Sequence, residues 1–129
     1  MVKGKGKITP NGVVLRGHEY KTVTFLTDQG FDVELIPPSK TQRAKTADII
    51  MNGIEWEMKA PTKIGKHTLD HAMKSGLKQS KNLIFDLRGI RNTGRKAAEK
   101  LQKDFFGKKS WKRLIIIAKD PEKLLTFSK

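Results

Sequence analysis

The stretch ADIIMNGIEWEMK, residues 47–59, decides how this chain folds. Two runs of β-prone residues flank Asn52-Gly53, a pair that tolerates the positive φ angles of a two-residue type I′ turn. The spacing predicts a hairpin whose register the turn fixes. Met51 then faces Ile54, Ile50 faces Glu55, Ile49 faces Trp56, and Asp48 faces Glu57. Alternation along a strand sorts the two faces. Ala47, Ile49, Met51, Ile54, Trp56 and Met58 form an apolar face, and Asp48, Ile50, Glu55, Glu57 and Lys59 form the other.

Two carboxylates directly across a ladder stand roughly 5 Å apart at Cβ and repel each other. A divalent cation between Asp48 and Glu57 reverses the sign of that interaction. Mg²⁺ is the expected ion, with Mn²⁺ or Zn²⁺ as alternatives, because a few carboxylates plus water and substrate phosphate suit a hard cation. Lys59 follows Glu57 by two residues and shares its face. There it is placed to orient an attacking water and to offset charge developing on a phosphoryl group. These are the parts of a metal-dependent phosphodiester hydrolase. A solvated hairpin face explains Glu-x-Lys on its own, and Glu19-Tyr20-Lys21 is a second copy of that spacing. It does not explain an Asp facing the Glu.

On the N-terminal side, Leu15 to Gln29 reads as a helix with Leu15, Glu19, Val23 and Leu26 on one stripe and Gly30 as the stop. Glu19 is therefore a further candidate catalytic acid if the stripe carries it inward. The bland alternative is a half-exposed helix end. Phe31 to Leu35 alternates like a strand that Pro37-Pro38 ends. On the C-terminal side, a helix is expected from about Lys66 to Lys78 and a buried strand over Asn82 to Arg88. A basic helix follows from Thr93, its expected N-cap, to Phe106. Strands come next over Trp111 to Ala118 and Leu124 to Phe127. His67 and His71 lie one helical turn apart, opposite the apolar stripe, where phosphate contact or plain solvation suits them better than metal. Asp86 is expected to pair with Arg88.

The chain has 129 residues, with 27 Lys and Arg against 13 Asp and Glu, a formal charge of +14. That excess attracts polyanions, nucleic acid first and an acidic protein second. Lys40, Arg43, Lys45, Lys78, Gln79, Arg91 and Arg95 are the candidate nucleic-acid contacts. There is no Cys, so disulfides and thiolate–zinc sites are excluded. Residues 1–12 read as a flexible basic arm without the apolar run of a signal peptide, and residues 13–129 as one nuclease domain. The longest aliphatic run, Leu114 to Ala118, is too short to span a bilayer.

An acidic helix, a strand, an Asp strand, a Glu-x-Lys strand, a helix and a strand, in that order, resemble the PD-(D/E)XK nuclease superfamily. Ala47 stands where the superfamily's name has Pro. Residues 47–50 and 56–61 are also similar to the C-terminal toxin domains of CdiA-type contact-dependent inhibition proteins and their phage and mobile-element relatives. The likeness runs from about residue 15 to 118. The resemblance implies an α/β fold, a restriction-endonuclease-like core with a mixed central sheet flanked by helices. It implies that Asp48 and Glu57 bind metal, that Lys59 assists the water, and that Glu19 completes the acidic cluster. It implies a tRNA-cleaving toxin domain, delivered from a secreted parent, acting in the cytoplasm and neutralised by an acidic immunity protein. The alternatives are a DNA endonuclease of a phage or mobile element, and a non-catalytic nucleic-acid-binding module.

Overall fold

A computed structural model of the chain describes residues 5–38, 46–63, 67–91, 94–119 and 121–129. The strands among them form one mixed seven-stranded sheet whose spatial order follows the chain, β1 to β7. β1 (Ile8–Thr9) leads through α1 (Gly17–Asp28) to β2 (Val33–Leu35), and these two strands run parallel. β2, β3 (Ile49–Met51) and β4 (Ile54–Lys59) form an antiparallel meander. α2 (Thr68–Leu77) then joins β4 to β5 (Asn82–Asp86), and α3 (Arg95–Gly107) joins β5 to β6 (Arg113–Lys119), with all three strands parallel. β7 (Glu122–Ser128) folds back antiparallel on β6.

Strand alternation gives the sheet two apolar faces. Val23 and Leu26 of α1 pack with Val33, Leu35, Ile49, Met51, Trp56, Ile84, Ile115 and Ile117 on one face. Leu69 and Met73 of α2 and Ala97, Leu101 and Phe105 of α3 pack with Leu83, Phe85, Trp111, Leu114 and Ile116 on the other. The helices therefore cover opposite faces, which fits central strands that are apolar on both sides. Adjacent residues of β5 divide between the two cores: Leu83 and Phe85 face α2 and α3, while Ile84 faces α1.

The expected hairpin is present. Asn52 and Gly53 have φ of 55° and 73°, and Met51, Ile50 and Ile49 pair with Ile54, Glu55 and Trp56. Three expectations need correction. Lys7 and Ile8 are not part of a free arm. The Val33 amide donates to the Lys7 carbonyl, the Lys7 amide donates to Asp32 Oδ1, and the Gly6 amide donates to the Thr27 carbonyl. Gly94, not Thr93, is the N-cap of α3, with φ of 75°. Thr93 lies outside the described residues. The last strand begins at Glu122, two residues before Leu124, because β6 offers it a continuous partner.

Candidate active site

β4 presents Glu57 and Lys59 on the face that α2 covers, since their register partners on β5 are Leu83 and Phe85. Asp48 immediately precedes β3. Its amide donates at 3.0 Å to the carbonyl of Trp56, the residue already paired with Ile49, so the regular ladder ends at Ile49. Asp48 Oδ2 then accepts the Met58 amide at 2.8 Å. The carboxylate thus serves as the acceptor for β4 where the regular ladder stops, and that bond turns it toward the neighbouring strand.

Glu57 is 4% exposed, and its Oε1 is buried with no hydrogen-bond partner among the described residues. Burial, then the Asp48 charge, pushes the Glu57 carboxyl up to about 8. Asp48 is within hydrogen-bonding reach of a protonated Glu57. Lys59 Nζ lies 3.5 Å from Glu57 Oε2 and opposes the shift without cancelling it. At neutral pH and without metal, Glu57 is mostly protonated.

Two residues that the sequence reading passed over complete the site. The Lys59 ammonium donates to Ser75 Oγ at 3.4 Å, tying it to α2. The next residue, Gly76, lets α2 approach. A Cβ there would stand 2.9 Å from Leu83 Cδ2 and 3.5 Å from Lys59 Cε. The available signal was a glycine inside an amphipathic helix, which often marks close approach.

Glu19 does not join this cluster. It lies exposed on the first turn of α1, on the sheet face opposite Glu57, with no hydrogen bond or ion pair among the described residues. The inward stripe begins one turn later, at Thr22, so Glu19 falls outside the core. Thr22 Oγ1 donates to Asp86 Oδ2 at 2.7 Å, and Arg88 grips Asp86 through Nε at 2.9 Å and Nη2 at 2.8 Å. Burial alone would raise the Asp86 pKa, but the Arg88 and Thr22 hydrogen bonds outweigh it and hold the carboxyl below its ordinary value. The expected Asp86–Arg88 pair is therefore a structural clamp of α1 onto β5.

Among the candidate nucleic-acid contacts, Lys40, Arg43 and Lys45 lie outside the described residues. Lys78 and Arg91 are exposed, as is Arg95 at the start of α3. Gln79 is half-buried after α2, its amide bonded to the Gly76 carbonyl. Ser80 accepts the Asn82 amide and donates to the Glu55 carbonyl, so it pins the turn instead of facing substrate. His67, the N-cap of α2, and His71 on its first turn are exposed. Among the described residues no group of three or more His, Cys, Asp or Glu could hold a metal ion.

Residues 45–122 match the contact-dependent growth inhibition CdiA C-terminal domain. The chain belongs to that family. The matched span of this CdiA C-terminal domain contains Asp48, Glu57, Lys59 and Ser75, and it leaves out α1 with Glu19. In fold, the domain is similar to a chain of the CdiA-CT/CdiI toxin and immunity complex from Burkholderia pseudomallei. The TM-score is 0.60 at 16% identity, over 96% of this chain and 100% of that one. Comparison with the curated proteins finds no match. No helix among the described residues is long and apolar enough to cross a membrane.

Proposed function

We propose that this CdiA C-terminal domain is a toxin that hydrolyses phosphodiester bonds in RNA, with tRNA as its substrate class and a divalent cation as its cofactor. The site belongs in design to the PD-(D/E)XK nucleases. The observation that carries this reading is the buried Asp48–Glu57 pair with its orphaned Glu57 Oε1. A buried carboxylate oxygen without a donor costs roughly 1–3 kcal/mol or more. A cation held by both acids would take the place of the Glu57 proton and satisfy that oxygen.

The donor set tests which ion fits. Two carboxylates supply only oxygen, and the other positions must go to water and substrate phosphate. Mg²⁺ and Mn²⁺ accept that arrangement, whereas Zn²⁺ asks for three or four protein ligands. Such a cation would polarise the phosphodiester and acidify water at the site. Lys59 contributes a fixed positive charge against the phosphoryl oxygens as charge grows on them, and it orients the attacking water. Ser75 holds the ammonium in place from α2. Lys59 therefore arrives already positioned for that task.

A basic toxin of this kind, released from a secreted CdiA parent into a target cell, would be neutralised by an acidic immunity protein. The test is to incubate the protein with total tRNA, plasmid and single-stranded DNA, with Mg²⁺ or with EDTA. Cleavage of tRNA that needs the cation and disappears in Glu57→Gln is the expected result. Glu57→Gln cleaving at the parent rate would sink the assignment. Cleavage of plasmid alone would move the substrate to DNA. RNA binding unaltered by EDTA, with no cleavage, would make the domain a passive binder.

A further inference from the structure

We infer that the cleft at the C-terminal ends of β4, β5 and β6 is a phosphate-binding subsite for the RNA backbone. The inference rests on the nuclease reading and extends it to residues outside the carboxylate site.

The cleft has a volume of about 570 Å³. Its walls include His18 and Lys21 from the first turns of α1, Ala60 after β4, Arg88 after β5, and Lys119 and Glu122 from the β6–β7 hairpin. Ligand pockets of roughly 300–1,000 Å³ are common, and in open sheets they lie at the carboxyl ends of parallel strands. Ala60 follows Lys59 directly, so the backbone of the two residues is about 3.8 Å apart at Cα. The cleft wall is thus a continuation of the strand that carries the candidate site. The α1 wall stands on the sheet face opposite Glu57 and Lys59, so a polynucleotide that engages both passes over the C-terminal edge of the sheet.

The charges favour that occupant. The Asp86 carboxylate is taken up inside the fold by Thr22 and by the Arg88 amide and guanidinium. Glu122, 3.6 Å from Arg88, is answered by the same guanidinium. Lys119 is anchored by its ammonium to the carbonyls of Ile90 and Arg91. It is a fixed cation that makes no ion pair among the described residues, although Glu122 is its register partner across the hairpin. Lys21 and His18 have no ion pair or side-chain hydrogen bond among the described residues. Both acids engage Arg88, and three Lys and Arg against two Asp and Glu leave the cleft with a small positive excess. A phosphodiester supplies the missing charge, and its affinity should be insensitive to base sequence.

The test compares Lys21→Glu with Lys109→Glu, each in a Glu57→Gln background that binds without cutting. Lys109 is exposed between α3 and β6, at the end of the strands away from the cleft, so both variants change the net charge alike and differ in location. Binding of fluorescein-labelled total tRNA is followed by anisotropy against NaCl concentration, with a thermal melt to verify the fold. Lys21→Glu should weaken binding on the order of tenfold at low salt and reduce the log–log salt slope by about one. Lys109→Glu should do neither. Equal weakening by both variants would leave only a general field and overturn the subsite. Failure of the nuclease reading is a separate result: Glu57→Gln would then cleave like the parent, or the parent would not cleave at all, whatever Lys21 does.

Discussion

Glu57 holds its proton far more tightly in the fold than in the unfolded chain, about 8 against 4.5, because burial and Asp48 both oppose its ionisation. Stability therefore falls as pH rises between those values, since the unfolded chain gives up the proton first and the native state resists. The metal-free protein should lose on the order of a few kcal/mol from this group across that window, with a plateau above it. Urea unfolding in EDTA from pH 4.5 to 9 measures the loss, and the difference between parent and Glu57→Gln isolates the group. Parallel curves for the two proteins would mean that Glu57 is not strained. Asp86 has the opposite sign and a separate window. Its pKa is depressed by its clamp, so its stabilisation is present above its ordinary 3.8 and is lost in acid as pH falls through the lower folded value. At this scale the sequence was half legible. The pairing of Ile49 with Trp56, which brings Asp48 beside β4, followed from local turn chemistry. The Asp48–Met58 bond and the orphaned oxygen did not, because they depend on where a side chain turns once the ladder ends.

Elements that make their contacts locally were the readable ones. The β3–β4 hairpin is one, since Asn52-Gly53 sets its register without help from elsewhere. β1 is the reverse case. Two residues become a strand only because Val33, 25 positions beyond Ile8, offers a parallel edge. No pattern within residues 5–12 encodes that. α1 was found but its active end was misjudged. A helical stripe tells which side faces inward, not how far the core beneath it extends, and burial starts at Thr22. α2 carries a sharper demand. Its buried stripe of Leu69 and Met73 seats it on the sheet, but Gly76 sets how closely it covers Glu57 and Lys59. Gly76→Val would drive a branched side chain into Leu83 and the Lys59 stem. Overpacking of this kind costs about 1–3 kcal/mol. The variant should show that loss in urea and should lower kcat as well, because Lys59 is displaced from Ser75. A variant of full stability and full activity would show that α2 has slack over the site.

The whole molecule carries a net charge of +14 on 129 residues, so its surface repels itself while it attracts polyanions. Composition alone made that field legible, whereas the order of the sheet depends on non-local pairings that composition cannot reveal. The two consequences of the field respond to salt in opposite directions. Screening relieves self-repulsion, and the Debye length shrinks from about 10 Å at 0.1 M to about 3 Å at 1 M. The thermal midpoint should therefore rise with NaCl. Screening also removes the gain from counterion release, so affinity for RNA should fall, with a log–log slope of about −0.7 for each phosphate neutralised on a single strand. Buried contacts such as Asp86–Arg88 are shielded from salt and should leave the first trend to the exposed lysines. One NaCl series read by both a thermal melt and RNA anisotropy separates the effects. A midpoint that falls along with affinity would mean that exposed ion pairs such as Lys100 with Asp70 and Asp104 contribute more to the fold than self-repulsion takes away. The excess of lysine would then have to be explained by the fold and not by attraction for a polyanion.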